Sequence, residues 1–177
     1  MLVLIVYESI YGNTHAVAEA IGRGLGAGDE ILVVPVAEAS AERVSWADLI
    51  VVGGPTHAHG MTRENSRRSA REAVARPDSH LVLDPAADGP GLREWFESLG
   101  PGDGKRAAAF DTRISGPAFL TGRAASGIGS ELHRRGYALV VEPESFLVDR
   151  HNELLEGEAA RAESWGASLA EVLVPTA

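Results

Sequence analysis

The segment from Leu2 to Leu25 constrains the fold more than any other part of the chain. An apolar run, Leu2–Tyr7, leads through the loop Ser9-Ile10-Tyr11-Gly12-Asn13-Thr14 into a stretch with helical periodicity, Thr14–Leu25. A buried strand followed by a short loop and a helix forms an anion pocket, because the loop amides and the helix dipole face the same point. The segment therefore predicts a phosphate-binding loop, although Asn13 or Thr14 could also simply cap a strand-to-helix turn.

Apolar runs alternate with amphipathic stretches along the rest of the chain. The predicted strands are Leu2–Tyr7, Glu30–Val36, Leu49–Gly53, Lys105–Phe110 and Tyr137–Val141, the last continued by Ser145–Val148. The predicted helices are Thr14–Leu25 (ended by Gly26 and Gly28), Ala41–Val44, Thr62–Arg76, Thr121–Arg135 and Glu158–Leu173. This order predicts an α/β fold, a doubly wound five-stranded parallel sheet with helices on both faces.

Residues 77–104 interrupt the alternation, with several Asp, Gly and Pro residues. Their apolar clusters are Leu81-Val82-Leu83 and the stretch from Gly91 to Phe96, which we interpret as a short helix packed on the body. A chain of 177 residues is long enough for one core and short for two. We therefore expect a single domain over residues 1–177, with an insertion near 77–104 before the fourth strand.

Composition excludes several classes of function. The chain has no cysteine, so it forms no disulfide, thiolate nucleophile or iron–sulfur cluster. Its formal net charge of -9 argues against a nucleic-acid partner, which would require a basic face. The sequence has no apolar run of about 18 residues, the length of a membrane span, and Leu2–Tyr7 lacks the basic flank of a signal peptide. We therefore expect a cytoplasmic protein.

Two loops resemble those of flavodoxins and related FMN proteins. Ser9, Gly12 and Thr14 match the family's phosphate-loop pattern, in which Tyr11 replaces a Thr, as an aromatic often does in flavodoxin-like quinone reductases. The run Gly53-Gly54-Pro55-Thr56 is similar to the family's second loop. The resemblance implies one non-covalent FMN and the strand order 2-1-3-4-5, for which flavodoxin itself is the standard example.

The resemblance also implies which residues bind the cofactor. The phosphate would lie at the first loop, Ser9, Ile10, Tyr11, Gly12, Asn13 and Thr14. The N5 edge and the dimethylbenzene side would lie at the second loop, Pro55, Thr56, His57, Ala58, His59 and Gly60. The pyrimidine end would lie at the third loop, Asp111, Thr112 and Arg113. Arg113 would stabilise a negative reduced flavin or form a surface salt bridge to Asp111 or Glu144.

The sequence departs from the family in its aromatic residues. Flavodoxins usually hold the flavin between two aromatic side chains from the second and third loops, and neither loop supplies one here. The candidates are His57 or His59 for one face, and Phe119 or Trp95 for the other. A metal site at His57 and His59 with His15 is a weaker interpretation, because no third ligand or carboxylate is evident.

Three functions remain open from the sequence. The first is an FMN-binding electron-transfer protein serving redox partner proteins, in which no residue acts as a nucleophile or general acid. The second is a flavin-dependent NAD(P)H or quinone oxidoreductase of the same fold, so whether the protein is an enzyme stays open. The third is a flavin-free interaction domain. Arg67, Arg68 and Arg71 form either a solvated helix face or a site for a nicotinamide phosphate or an acidic partner.

Overall fold

The computed structural model describes residues 1–26 and 30–173, so the predicted helix terminator Gly28 lies outside the described residues. Its strands are β1 (Leu2–Tyr7), β2 (Glu30–Pro35), β3 (Leu49–His57), β4 (Gly60–Met61), β5 (Arg106–Ile114), β6 (Ala138–Leu139) and β7 (Glu144–Val148). Its α-helices are α1 (Asn13–Leu25), α2 (Ala41–Trp46), α3 (Glu64–Val74), α4 (Leu92–Ser98), α5 (Ala118–Thr121), α6 (Ala124–Arg134) and α7 (Glu158–Leu173). A short 3-10 helix at Val36–Glu38 follows β2.

The described residues form one seven-stranded sheet. Its parallel part runs β2-β1-β3-β5, and β6 and β7 share the next position beside β5. If β6 and β7 are taken as two parts of one strand, this is the predicted order 2-1-3-4-5, and the predicted fold class is confirmed. β6 pairs with the start of β5, and β7 pairs with its end.

The side chains of each central strand point alternately into two separate hydrophobic cores, one on each face of the sheet. On one face, Leu4 and Val6 of β1 pack with side chains of α2, α4 and α6. On the other face, Val3 and Ile5 pack with side chains of α1 and α7. Successive side chains of a strand point to opposite faces, so a near-continuous apolar run is what a sheet covered on both faces requires.

Helices α1 and α7 cross with their backbones in direct contact. A Cβ added to Gly166 of α7 would lie 2.2 Å from the carbonyl oxygen of Ile21, and one added to Gly24 of α1 would lie 1.9 Å from that of Glu163. Neither position has room for any side chain. Glycine at both positions therefore sets the distance at which the last helix packs on the first.

Several predicted boundaries were wrong. Strands β3 and β5 extend to His57 and Ile114, because they stay paired as far as Pro55 and Thr112 and because β3 also pairs with β4, which the sequence analysis missed. The predicted helix Thr62–Arg76 is shorter at both ends, and the predicted helix Thr121–Arg135 starts only at Ala124. No helix within residues 1–26 and 30–173 has the length and apolar character needed to cross a membrane.

Candidate functional site

A cavity of about 200 Å³ opens where β1, β3, β5 and β7 end. It lies at the carboxyl edge of the parallel sheet, the edge at which open α/β sheets bind ligands. The predicted site residues that line it are Ser9, Ile10, Tyr11, Asn13, Thr14, Pro55, Thr56, His57, Thr112 and Arg113. The predicted residues that do not line it are Gly12, Ala58, His59, Gly60 and Asp111. The structure therefore brings together parts of all three predicted loops.

The first turn of α1 faces this cavity without a side-chain cap. The N-cap residue is Gly12, whose φ of 93° lies in the left-handed region that favours glycine. Its amide donates to the Ser9 hydroxyl at 3.1 Å. The Asn13 side chain, one predicted cap, instead donates to the carbonyl of Asn152 at 2.7 Å. The alternative of a turn capped by Asn13 or Thr14 is therefore wrong, because α1 begins with no side-chain cap hydrogen bond.

Two hydroxyls connect the first and third loops. The Oγ1 atoms of Thr14 and Thr112 lie 2.7 Å apart, and both residues are buried. One hydroxyl must donate to the other, so only one of the two protons is left for a further acceptor. The pair therefore fixes the start of α1 against the end of β5 and offers a single hydroxyl donor at the cavity wall.

The segment 77–104 contacts the predicted phosphate loop from its outer side. The amide of Asp84 donates to the carbonyl of Ile10 at 2.8 Å, and the Asp84 carboxylate lies 3.1 Å from Nδ1 of His15. The His15 ring stacks on Tyr7, with 4.4 Å between ring centroids. Burial, with smaller effects from Asp84, Glu19 and Glu38, raises the pKa of Tyr7 to about 12. The predicted insertion thus holds both ends of the loop.

A buried carboxylate behind the loop was missed by the sequence analysis. Glu8 follows β1 directly, is 6% exposed, and accepts hydrogen bonds from the Thr62 hydroxyl and, at 2.8 Å, from the amide of Leu92. Arg67 approaches it at 3.9 Å and pairs with Glu94 at 3.0 Å. Burial raises the pKa of Glu8, and these contacts oppose the rise. A charged residue between a buried strand and a loop was the available signal.

Asp111 lies beneath the cavity and does not face it. Its Oδ2 accepts hydrogen bonds from the Thr56 hydroxyl at 3.0 Å and from the amide of Ala125 at 2.7 Å. Burial raises the pKa of Asp111, opposed first by the hydrogen bond from Ala125. The carboxyl group therefore ties the end of β3 to the start of α6.

Arg113 forms hydrogen bonds with the segment that follows β5. Its Nη1 donates to the carbonyl of Gly116 at 2.8 Å and to the Thr121 hydroxyl at 2.9 Å, while its Nε is buried with no acceptor among the described residues. The salt bridge predicted to Asp111 or Glu144 is not among the ion pairs of the described residues, and Glu144 pairs with Arg161 at 3.0 Å. Arg113 still lines the cavity, so its charge acts there.

The second predicted loop is a tight hairpin between β3 and β4. His57 pairs with Gly60, and the two residues between them, Ala58 and His59, have φ values of 47° and 73°. Residues other than glycine rarely adopt such values, so the turn carries local strain. His59 forms a bridge with Gly122, where an added Cβ would lie 2.1 Å from the His59 Cα. The hairpin tip is therefore clamped against the segment that follows α5.

The aromatic residues expected to cover a flavin are not equally placed. Trp95 is 6% exposed in the core and donates through Nε1 to the carbonyl of Ala39 at 2.8 Å, so the expectation that it reaches the site was wrong. Phe119 on α5 is 83% exposed. The aromatic and imidazole rings that line the cavity belong to Tyr11 and His57.

A fourth wall of the cavity was also missed. This wall is formed by Val148 at the end of β7 and by Asp149, Arg150 and Asn152 on the turn that follows it. The available signal was the fold itself, because the carboxyl ends of parallel strands lie at one edge and the fifth strand contributes a loop there. Among the described residues, no group of three His, Asp or Glu side chains is arranged to hold a metal ion.

Comparisons with known proteins agree on one family. A flavodoxin domain model matches residues 4–72. A flavodoxin from Aquifex aeolicus (strain VF5) is 40% identical over 57 residues, which cover 31% of this chain and 31% of that protein. The match therefore spans about a third of the relative's length.

Solved structures show the same fold over the whole chain. Flavodoxin 1 from Bacillus cereus is 20% identical with a TM-score of 0.66, covering 98% of this chain and 100% of that one. The rubredoxin oxygen:oxidoreductase from Desulfovibrio gigas is 15% identical with a TM-score of 0.60, covering 97% of this chain but 36% of that one. The fold therefore occurs both alone and as part of a larger oxidoreductase.

Proposed function

Since this chain has a flavodoxin-like fold and its residues 4–72 match a flavodoxin domain model, we propose that it binds one FMN non-covalently in the cavity at the carboxyl edge of its sheet and passes electrons between redox partners. FMN supplies one- and two-electron chemistry when bound, while the chain binds it, orients it and sets the surrounding charge. No side chain is required as a nucleophile or general acid.

The uncapped first turn of α1 is the observation that carries this proposal. Gly12 is the N-cap of α1 and its amide donates to the Ser9 hydroxyl, but among the described residues no side chain accepts a hydrogen bond from the amides of the first helical turn, which starts at Asn13. The first N–H groups of a helix have no partner within the helix, and the helix dipole places partial positive charge there. A dianionic phosphate at this point would accept hydrogen bonds from the amides. The residues present therefore fit the phosphate of FMN.

The rest of the cavity supplies polar groups for the sugar chain and one ring edge. The Thr14 and Thr112 hydroxyls share one free proton, and Arg113 and Arg150 add two positive charges to a lining whose one carboxylate is Asp149. The cavity, at about 200 Å³, is smaller than the roughly 300 Å³ at which small-molecule pockets usually begin. We therefore expect the isoalloxazine ring to remain partly exposed and able to exchange electrons with a docked partner.

Titration of the apoprotein with FMN and with riboflavin tests the proposal. The fluorescence of FMN should be quenched when it binds to the apoprotein. Riboflavin should bind much more weakly, because only FMN carries the phosphate. The Thr14→Ala variant should lose part of the preference for FMN, and Thr14→Ser, which keeps the hydroxyl, should retain it. Equal affinity for the two flavins, or no affinity for either, would refute the proposed site and favour a flavin-free interaction domain.

A flavin-dependent NAD(P)H or quinone oxidoreductase is the second candidate. It is favoured by a second, cationic cavity that shares His57 with the first. Mixing the FMN-loaded protein with NADPH under anaerobic conditions separates the two functions. Rapid reduction without any partner protein would indicate an oxidoreductase, and no reduction would indicate an electron carrier.

A further inference from the structure

A second cavity, of about 290 Å³, lies between the β3–β4 hairpin and α3. Its lining includes His57, Gly60, Arg63, Ser66 and Arg93. His57 also lines the first cavity, so the two cavities meet at this side chain. A ligand in the second cavity would therefore lie next to whatever occupies the first.

The charge of this cavity is opposite to that of the chain. The formal net charge of the protein is -9, yet the cavity is lined by two arginines and by no Asp or Glu. Among the described residues, neither Arg63 nor Arg93 forms a salt bridge. Other arginines on α3 do so, since Arg67 pairs with Glu94 at 3.0 Å and Arg71 lies 3.7 Å from Asp88. The positive charge of the cavity is thus left uncompensated.

The guanidinium of Arg93 is held in place by backbone carbonyls. Its Nε donates to the carbonyl of Thr62 at 3.0 Å, and its Nη2 donates to that of Met61 at 3.3 Å. Nη2 also lies 4.0 Å from where a Cβ on Gly60 would stand. A side chain fixed in this way loses little conformational entropy when it binds a ligand.

The other polar groups of the lining suit an oxyanion. Ser69 offers a hydroxyl and Asn65 offers an amide group, both on the first turns of α3 beside Arg63, whereas the Ser66 hydroxyl already donates to the Arg63 carbonyl at 2.7 Å. Guanidinium groups bind phosphate and carboxylate oxygens through pairs of charge-assisted hydrogen bonds. The cavity is concave and small, which fits a phosphate group carried by a small molecule better than the flat surface of an acidic protein.

We propose that this second cavity binds the phosphate group of a small organic phosphate. Its arginines neutralise the anion, and His57 lies where the rest of the ligand approaches the first cavity. The inference stands on the second cavity alone and does not require that the first cavity hold FMN. If both proposals hold, the occupant is a phosphorylated electron donor or acceptor.

Calorimetric titration with inorganic pyrophosphate tests the site. Arg63→Ala should weaken binding about tenfold to a hundredfold, the loss expected for one charge-assisted hydrogen-bonding partner. Arg71→Ala is the matched control, because it removes the same charge from α3, the helix that Arg63 precedes as N-cap, outside the cavity, and it should leave affinity unchanged. Arg93→Ala should also weaken binding, and its melting temperature must be measured because Arg93 bonds to the backbone. Equal affinities in wild type, Arg63→Ala and Arg71→Ala would overturn the proposal.

Pyrophosphate could also bind at the start of α1, so a further variant separates the two cavities. Binding that is lost in Thr14→Ala but kept in Arg63→Ala would place the anion in the first cavity and overturn the proposal. The source of the phosphate is tested with NADPH, NADH and citrate. Stronger binding of either nucleotide than of citrate, weakened to a similar degree in Arg63→Ala, supports a phosphate site. Citrate binding as tightly as pyrophosphate would show a general anion site and refute the phosphate assignment.

Discussion

Replacing Glu8 tests the buried network that supports the phosphate loop. Glu8→Gln resembles the protonated carboxyl group, because it keeps one oxygen acceptor and adds a donor. The amide oxygen can accept from the Leu92 N–H, and the amide N–H can donate to the Thr62 hydroxyl oxygen. Arg67 keeps its 3.0 Å contact with Glu94. We therefore expect Glu8→Gln to fold normally and to be at least as stable as wild type at neutral pH.

Glu8→Ala should instead be destabilising. It leaves the Leu92 amide without an acceptor in a residue that is 1% exposed, which costs about 1–3 kcal/mol for one buried donor. The Thr62 hydroxyl also loses the acceptor for its proton and keeps only the hydrogen bond that it accepts from Arg67 Nη1 at 3.4 Å. The free energy of unfolding of both variants is measured by urea denaturation, in which an unchanged m-value shows that the native state is intact.

The pH dependence gives the sharper test. Burial holds the pKa of Glu8 above its ordinary value, so the folded state favours the protonated form. The stability that this contributes is present below the ordinary pKa of glutamate and is lost as the pH rises through the raised pKa. The stability of wild type relative to Glu8→Gln should therefore fall across that window. If the stability of wild type relative to Glu8→Gln instead increases as the pH rises, the charge of Arg67 outweighs burial in setting the pKa of Glu8, and the reasoning is wrong.

Three further predictions concern the cofactor, the helix crossing and the histidines. Thr14→Ala and Gly12→Val should each weaken FMN binding by about 1.5–3 kcal/mol, measured by fluorescence titration, because they remove a hydroxyl or disturb a positive φ. Gly166→Ala should cost about 1–3 kcal/mol of unfolding free energy through overpacking, whereas Gly127→Ala on α6, whose Cβ would meet only Met61 at 3.6 Å, should gain about 0.5–1 kcal/mol. His57→Ala should change how the flavin midpoint potential varies with pH and His59→Ala should not, because only His57 lines the cavities; equal effects would contradict this placement.

The sequence predicted the fold well because the central strands are buried on both faces. A strand such as β1 must then be apolar at nearly every position, and that pattern is legible without a structure. The ends of β3 and β5 could not be predicted from the sequence, because Pro55 and Thr112 pair with each other although they are far apart in the chain. The strand propensity of the individual residues does not depend on such long-range pairing and therefore does not reveal it.

The candidate site was predictable only in part, and for a related reason. The phosphate loop depends on neighbours in sequence, so Ser9, Gly12 and Thr14 could be recognised together. The roles of Glu8, Asp84 and Asn152 depend on long-range partners, which a single sequence does not reveal. Trp95 was misplaced because its helix alone does not show which face the core will cover.

The hydrogen bond between Asn13 and Asn152 joins residues 139 positions apart and closes the cavity between the first helix and the last strand. A chain emerging from the ribosome completes β1, α1 and β3 long before β7 appears. The loop between β1 and α1 therefore exists early, but the wall formed by residues 148–152 is missing until β7 and the turn after it have emerged. A ribosome stalled before β7 would therefore display a sheet whose cavity lacks one wall, and a ligand that needs this wall could bind only after β7 has emerged.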